Sequence, residues 1–260
     1  MIEKYQEKVV ILNFSGNRKA ISTIWIVVIV SAVIVVALGA TVAYLWFWPG
    51  NLKTEEMEFS DFTAVEVRWA FEVTVSQSSS YSVVISADEK IFDKIEVNKI
   101  EDTLIIDLEP GTTDPAGLVR KAEITMPDLN KLILSGATRG TAEGFSNSNQ
   151  FMLGLSGASS LDLTNINMGD AEIDVSGAST LDASGTAQDL RSIVSGASNM
   201  DLSNFSVNNA DIIVSGASRA TINLDGILDA NVAGASTLEY IGEPTMRDIN
   251  TSGSSTIKKK

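Results

Sequence analysis

Ser156-Gly157-Ala158-Ser159-Ser160-Leu161-Asp162 and Ser176-Gly177-Ala178-Ser179-Thr180-Leu181-Asp182 are near-copies twenty residues apart. The tetrapeptide at their head recurs as Ser135–Thr138, Ser195–Ser198, Ser215–Ser218, Ala233–Ser236 and Ser252–Ser255, so seven marks stand 21, 20, 19, 20, 18 and 19 residues apart. A fixed period near twenty means one supersecondary unit stacked on itself.

The residues around the marks give the unit its inner face. Leu134, Leu155, Val175, Val194, Val214 and Val232 precede the marks. Five residues after each start come Gly140, Leu161, Leu181, Met200, Ala220, Leu238 and Ile257; two further on stand Ala142, Leu163, Ala183, Leu202, Ile222 and Tyr240. This is period-2 patterning, so one short strand enters each mark and another leaves it. Stacked in register, such units predict an all-β parallel β-helix of about seven coils, each advancing about 4.8 Å. The mark is then a corner. Its glycine (Gly136, Gly157, Gly177, Gly196, Gly216, Gly234, Gly253) supplies a positive φ. The third-position alanine is expected to point inward, and the serines to cap backbone groups or form ladders.

Upstream, Val65, Val67, Trp69, Phe71, Val73 and Val75 alternate with polar residues as one strand that could break near Ala70. Tyr81–Ile85, Thr103–Leu108, Ala122–Met126 and Lys131–Leu134 read as further strands, and Gly111–Gly117 as a loop. The pattern leaves open whether 58–134 continue the same β-helix.

Ile21–Trp48 holds no charged residue over 28 positions, which is long enough to span a bilayer. Trp25 at one end and Tyr44, Trp46 and Trp48 at the other suit the interfaces, and Pro49-Gly50 ends the helix. Arg18 and Lys19 precede the span, and Glu55, Glu56, Glu58 and Asp61 follow it. The positive-inside rule puts the N-terminus in the cytoplasm and the rest outside. The expected organisation is a cytoplasmic segment 1–20, a transmembrane signal-anchor helix 21–48, a linker 49–57, an extracellular β-helix 58–257 and a basic tail 258–260. Arg18-Lys19-Ala20-Ile21-Ser22-Thr23-Ile24 also resembles the start of archaeal type IV pilin-like precursors, which implies cleavage before the apolar helix. Cleavage after Ala20 would free that helix to bundle.

The chain has no Cys and no His. Disulfides, thiolate chemistry and the usual neutral-pH general base are therefore absent. The net charge of −14 is unevenly spread: residues 1–50 hold four basic and two acidic residues, and the remainder is strongly acidic. Such a surface argues against nucleic acid, which needs a basic patch. Asp162, Asp182 and Asp201 share one repeat position, with Glu239 aligned to them. A carboxylate column could hold Ca²⁺, but stacked like charges repel, and an outward solvated position is the simpler reading. Arg139, Arg191 and Arg219 also lie in the repeats, without the long loops that wall the clefts of β-helical carbohydrate enzymes. No catalytic residue, metal site or cofactor is expected.

Phe59-Ser60-Asp61-Phe62 with its alternating strand, the Leu104–Leu108 strand, the Ala122–Pro127 stretch and the repeated Ser-Gly-Ala-Ser-x-Leu-Asp resemble the auto-transporter adhesin head, or GIN-domain, family. The resemblance runs from about Glu58 to the C-terminus. It implies a right-handed β-helix at a cell surface and no catalytic residues. The resulting expectation is a single-pass, membrane-anchored, non-enzymatic surface protein that contacts surface polysaccharide, envelope components or other cells. The alternatives are a pilin-like or self-assembling subunit and a carbohydrate-binding or carbohydrate-active β-helix protein.

Overall fold

The computed structural model describes residues 51–113 and 117–260. The expected cytoplasmic segment, membrane helix and cleavage site lie outside these residues. Within them no helix is long and apolar enough to cross a membrane.

The marked repeats form a two-sheeted β-solenoid. Each unit sends one strand into sheet II, turns at the mark, and returns through sheet I. The pairs are β8 (Lys131–Leu134) with β9 (Arg139–Glu143), β10 (Phe151–Leu155) with β11 (Ser160–Asn167), and β12 (Ala171–Val175) with β13 (Thr180–Thr186). They continue as β14 (Asp189–Val194) with β15 (Asn199–Val207), β16 (Asn209–Val214) with β17 (Arg219–Leu224), β18 (Ile227–Val232) with β19 (Thr237–Ile241), and β20 (Thr245–Thr251) with β21 (Thr256–Lys259). Like strands pair in parallel, so the seven corners bound about six turns. The columns expected to face inward do so: Leu134, Val175, Val194, Val214, Val232, Leu181, Met200, Ala220, Leu238, Leu202 and Ile222 are all buried. Two packed sheets bury this strip because successive side chains alternate faces, and the inner half is apolar in every coil.

The corner works as expected in its glycine and differently in its alanine. The seven glycines have φ between 69° and 80°. Glycine stacks on glycine so closely that a Cβ on Gly196 would lie 2.3 Å from the Gly177 carbonyl oxygen. The third residue points outward; its amide carries the ladder, with Ala178 N donating to Gly157 O and Ala197 N to Gly177 O, each at 2.8 Å. The fourth residue points in instead: Thr138, Ser159, Ser179, Ser198, Ser218 and Ser236 are buried. A hydroxyl suits that place because it can meet backbone groups of the bend: Ser198, Ser218 and Ser236 Oγ accept from the Ser179, Ser198 and Ser218 amides at 3.4, 3.3 and 3.4 Å. Thr138 Oγ1 donates to Ser135 O at 2.7 Å and Ser159 Oγ to Ser156 O at 2.8 Å. Alanine there would leave those acceptors bare.

Residues 58–134 belong to the same stack. β2 (Ala64–Val67) and β3 (Glu72–Gln77) pair with β8 and β9, so Arg68-Trp69-Ala70-Phe71 is a corner in register with Ser135–Thr138. The single strand read across Val65–Val75 is thus two strands on two sheets. Trp69 (φ 67°) occupies the glycine place, and Phe71 fills the inward place of the serine. A further coil lies outside it. β6 (Thr103–Leu108) pairs with β2, and β7 (Arg120–Met126) pairs with β3. Space order therefore departs from chain order here. β4 (Ser82–Asp88) and β1 (Leu52–Met57) then add antiparallel to sheet I, and β5 (Ile95–Ile100) to sheet II. The four-residue helix α1 (Glu89–Phe92) buries Ile91 and Phe92 at this end.

Two expected boundaries are corrected. Much of the linker 49–57 is strand β1, whose charged residues face solvent while Met57 packs on the core. The basic tail 258–260 is part of the last coil: Lys258 and Lys259 lie in β21 and pair with Glu239 and Glu243. Local composition concealed both because these two edge strands are rich in charged residues.

Candidate functional site

The two outer faces differ in chemistry. On sheet I the expected acidic column exists: Asp162, Asp182 and Asp201 are in direct register, followed by Thr221 and Glu239. Burial raises the pKa of Asp182, helped by the charges of Asp201 and Asp162. Burial also raises Asp201, but hydrogen bonds from Ser203 outweigh it, and its carboxylate is held low; the Ser203 amide donates at 2.9 Å. Among the described residues no three acidic groups converge as a metal site would need. The Glu239 carboxylate is taken by Lys258 at 2.9 Å and Arg219 at 3.6 Å.

The raised Asp182 has a measurable consequence. A carboxyl whose folded pKa lies above its unfolded value destabilises the fold when ionised, and that penalty disappears as pH falls through the folded pKa. Asp182→Asn should therefore raise the melting temperature at neutral pH. The gain over the parent should shrink at acidic pH, below the carboxylate range, as read by thermal unfolding across a pH series.

Sheet II carries a groove of about 460 Å³. Its first wall comes from the turns that feed the strands. Asp189 N donates to Asp170 Oδ1 at 3.3 Å, Asn209 Nδ2 to Asp189 Oδ1 at 2.8 Å, and Ile227 N to Asn209 Oδ1 at 2.8 Å. Asx side chains satisfy backbone amides at these bends, which is why Asp and Asn recur there. The second wall is the outward row Glu172, Arg191, Asp211 and Asp229, one residue per coil in direct register. Arg247 closes the row on Asp229, with Nε 2.9 Å from Oδ1, and lowers that carboxyl's pKa.

Beside this charged row runs a second outward row, Gly154, Asp174, Ile193 and Ile213, again in register. Ile193 and Ile213 are each 40% exposed, and Met152 nearby is 43% exposed. Burial among these groups raises the pKa of Asp174, and neighbouring Glu172 adds to it. A strip of uncovered isoleucine along a row of mixed charge can press on a partner while charge sets its register.

The fold separates the three arginines noted in the repeats. Arg191 lines the sheet II groove, whereas Arg139 and Arg219 stand on sheet I. The Asp170–Asp189–Asn209 ladder stands six residues before successive marks, so it shares their period, but the sequence reading followed the apolar columns and did not single that position out. Gly185 escaped too, although a Cβ there would lie 1.9 Å from Ile166 O. No search of motifs would single it out, since it stands inside a strand.

Solved structures share this architecture. A putative adhesin from Bacteroides fragilis superposes with a TM-score of 0.72 at 21% identity, covering 81% of this chain and 97% of its own. A putative lipid binding protein from Parabacteroides distasonis gives 0.65 at 18% identity, over 81% and 97% of the two chains. A putative adhesin from Parabacteroides merdae gives 0.60 at 17%, over 82% and 98%. At these identities the likeness shows the fold alone. No match was found among curated proteins. The sequence itself matches the profile of DUF2807, described as "Putative auto-transporter adhesin, head GIN domain", over residues 61–244, from the unmarked first coils to the turn before the last, and the chain belongs to that family.

Proposed function

We propose that the chain is a membrane-anchored, non-enzymatic cell-surface protein that adheres through the outer face of sheet II to surface polysaccharide, an envelope component or another cell. The observation that carries this reading is the pairing on one face of the Ile193–Ile213 strip with the Glu172–Arg191–Asp211–Asp229 row. Three carboxylates of the groove are already engaged. Asp170 and Asp189 hold turns, and Asp229 holds Arg247. Groups fixed in this way recognise shape better than they transfer protons. The 28-residue uncharged run supplies the anchor, and the family supports a surface setting.

The test is adhesion of cells displaying the full chain to polysaccharide-coated surfaces and to other cells. Ile193→Asp with Ile213→Asp should lower adhesion about tenfold, since centrally buried apolar contacts dominate interface energy. Asp162→Lys with Asp182→Lys on sheet I should leave it near the parent level. Loss from the sheet I pair alone, or turnover of a polysaccharide, would count against the proposal. A second reading, self-assembly, is favoured by the end of the stack described next.

A further inference from the structure

The two ends of the solenoid are built differently. One is closed by antiparallel β1, β4 and β5 and by α1. At the other, among the described residues, nothing pairs with β20 or β21 on their far side. All seven residues of β20 are exposed. Its inward positions are nevertheless apolar: Met246 is in register with buried Leu228, and Ile249 with buried Ala230. Ile257 of β21 is in register with buried Leu238. A cross-section of the core and a row of free backbone donors and acceptors are thus uncovered together. An edge of this kind is a template for another strand.

The charges at this end do not guard it. Lys258, Lys259 and Arg247 are each paired to an acid of their own chain. β20 is also close to its own complement. β20 has a bulge at Arg247–Asp248 that turns both Met246 and Ile249 inward; laid antiparallel on a copy of itself about a twofold axis at that bulge, it sets Met246 opposite Ile249 and Thr245 opposite Asn250, with the two bulges facing each other. Each contact occurs twice. The opposite end presents β1 on sheet I, with Lys53, Glu55 and Glu56, and β5 on sheet II, with Glu96 and Lys99, charges that discourage strand pairing there.

We propose that two copies of this chain join end to end through antiparallel pairing of β20, forming a closed twofold dimer with a continuous sheet II. This deepens the self-assembly reading and is independent of the adhesive face, so either can fail alone.

The absence of cysteine makes the test direct. The full chain bearing Asp248→Cys, in detergent micelles, is treated with a short bismaleimide. It should cross-link as a dimer at least about tenfold more than Glu96→Cys, placed on β5 at the closed end. Adding Met246→Lys and Ile249→Lys should reduce that cross-linking about tenfold. The thermal transition should stay where it is, because both side chains are already uncovered. Thr245→Cys with Asn250→Cys keeps Arg247 and Asp248 intact and should form disulfides between copies on mild oxidation. Association through residues 21–48 would raise both single-cysteine variants alike. Equal cross-linking at the two ends, no cross-linking, or cross-linking indifferent to the lysines overturns the proposal.

Discussion

Gly196→Ala should cost on the order of 4 kcal/mol or more, placing it among the most damaging single-methyl additions in the chain. Two effects add. The residue sits at φ 80°, where a side chain costs about 1–2 kcal/mol. The new Cβ would also lie 2.3 Å from Gly177 O and 3.0 Å from Gly177 N, both backbone atoms of the coil beneath. The same carbonyl accepts the 2.8 Å hydrogen bond from Ala197 N, so the coil cannot lift without breaking the corner ladder. Gly111→Ala is the matched control. Its φ is 82°, but nothing stands within 4 Å of the added methyl. That variant should lose only the conformational part, about 1–2 kcal/mol. Chemical denaturation of both, side by side, separates stacking from φ. Similar losses would show that the corner needs glycine for its dihedral alone.

That comparison also shows why the corner was readable in the sequence. Gly196 recurs because the requirement recurs, and the apolar columns around it repeat with the same period. The unmarked first corner was readable only as a break near Ala70, not as a corner. Trp69 holds a φ of 67° without glycine, and Phe71 replaces the inward hydroxyl, so neither half of the mark is present. The order of the first coils was hidden for a different reason. β7 slips between β3 and β4, a non-local pairing that leaves no local trace. The corner's inner and outer residues were exchanged because alanine is the more apolar of the two. The backbone groups of the bend, which the hydroxyls bond, decide for serine. On the outer face of sheet II, Ile193 and Ile213 sit at outward places of ordinary strands. Their meaning appears only when register lines them up beside Arg191 and Asp211. The carboxylate column was legible because one residue type recurs at one place in the period, whereas the groove on sheet II mixes Asp, Asn, Glu and Arg at its periodic places.

Phe205→Ala should cost about 3–5 kcal/mol, the range for a fully buried aromatic, and it should fall near the top of that range. Phe205 is 1% exposed and lies in an inward column that runs Ile166, Gly185, Phe205 in register. A cavity is least costly when neighbours collapse into it. Gly185 has no side chain to move, and its backbone is pinned against Ile166 O, so the coil below cannot fill the space. Position in the stack enlarges the effect. Solenoid stability is close to a sum of coil and nearest-neighbour terms, so a weak coil in the middle uncouples the parts on either side. Hydrogen exchange should show β12–β15 losing protection first while the closed end around β2, β3 and β7 keeps it. Ile257→Ala supplies the contrast. It removes a partly buried residue from the last coil, has coupling on one side only, and should cost about 1 kcal/mol or less. Equal losses at the two positions, or a single concerted loss of protection across the whole stack in Phe205→Ala, would mean that the solenoid unfolds as one block rather than coil by coil.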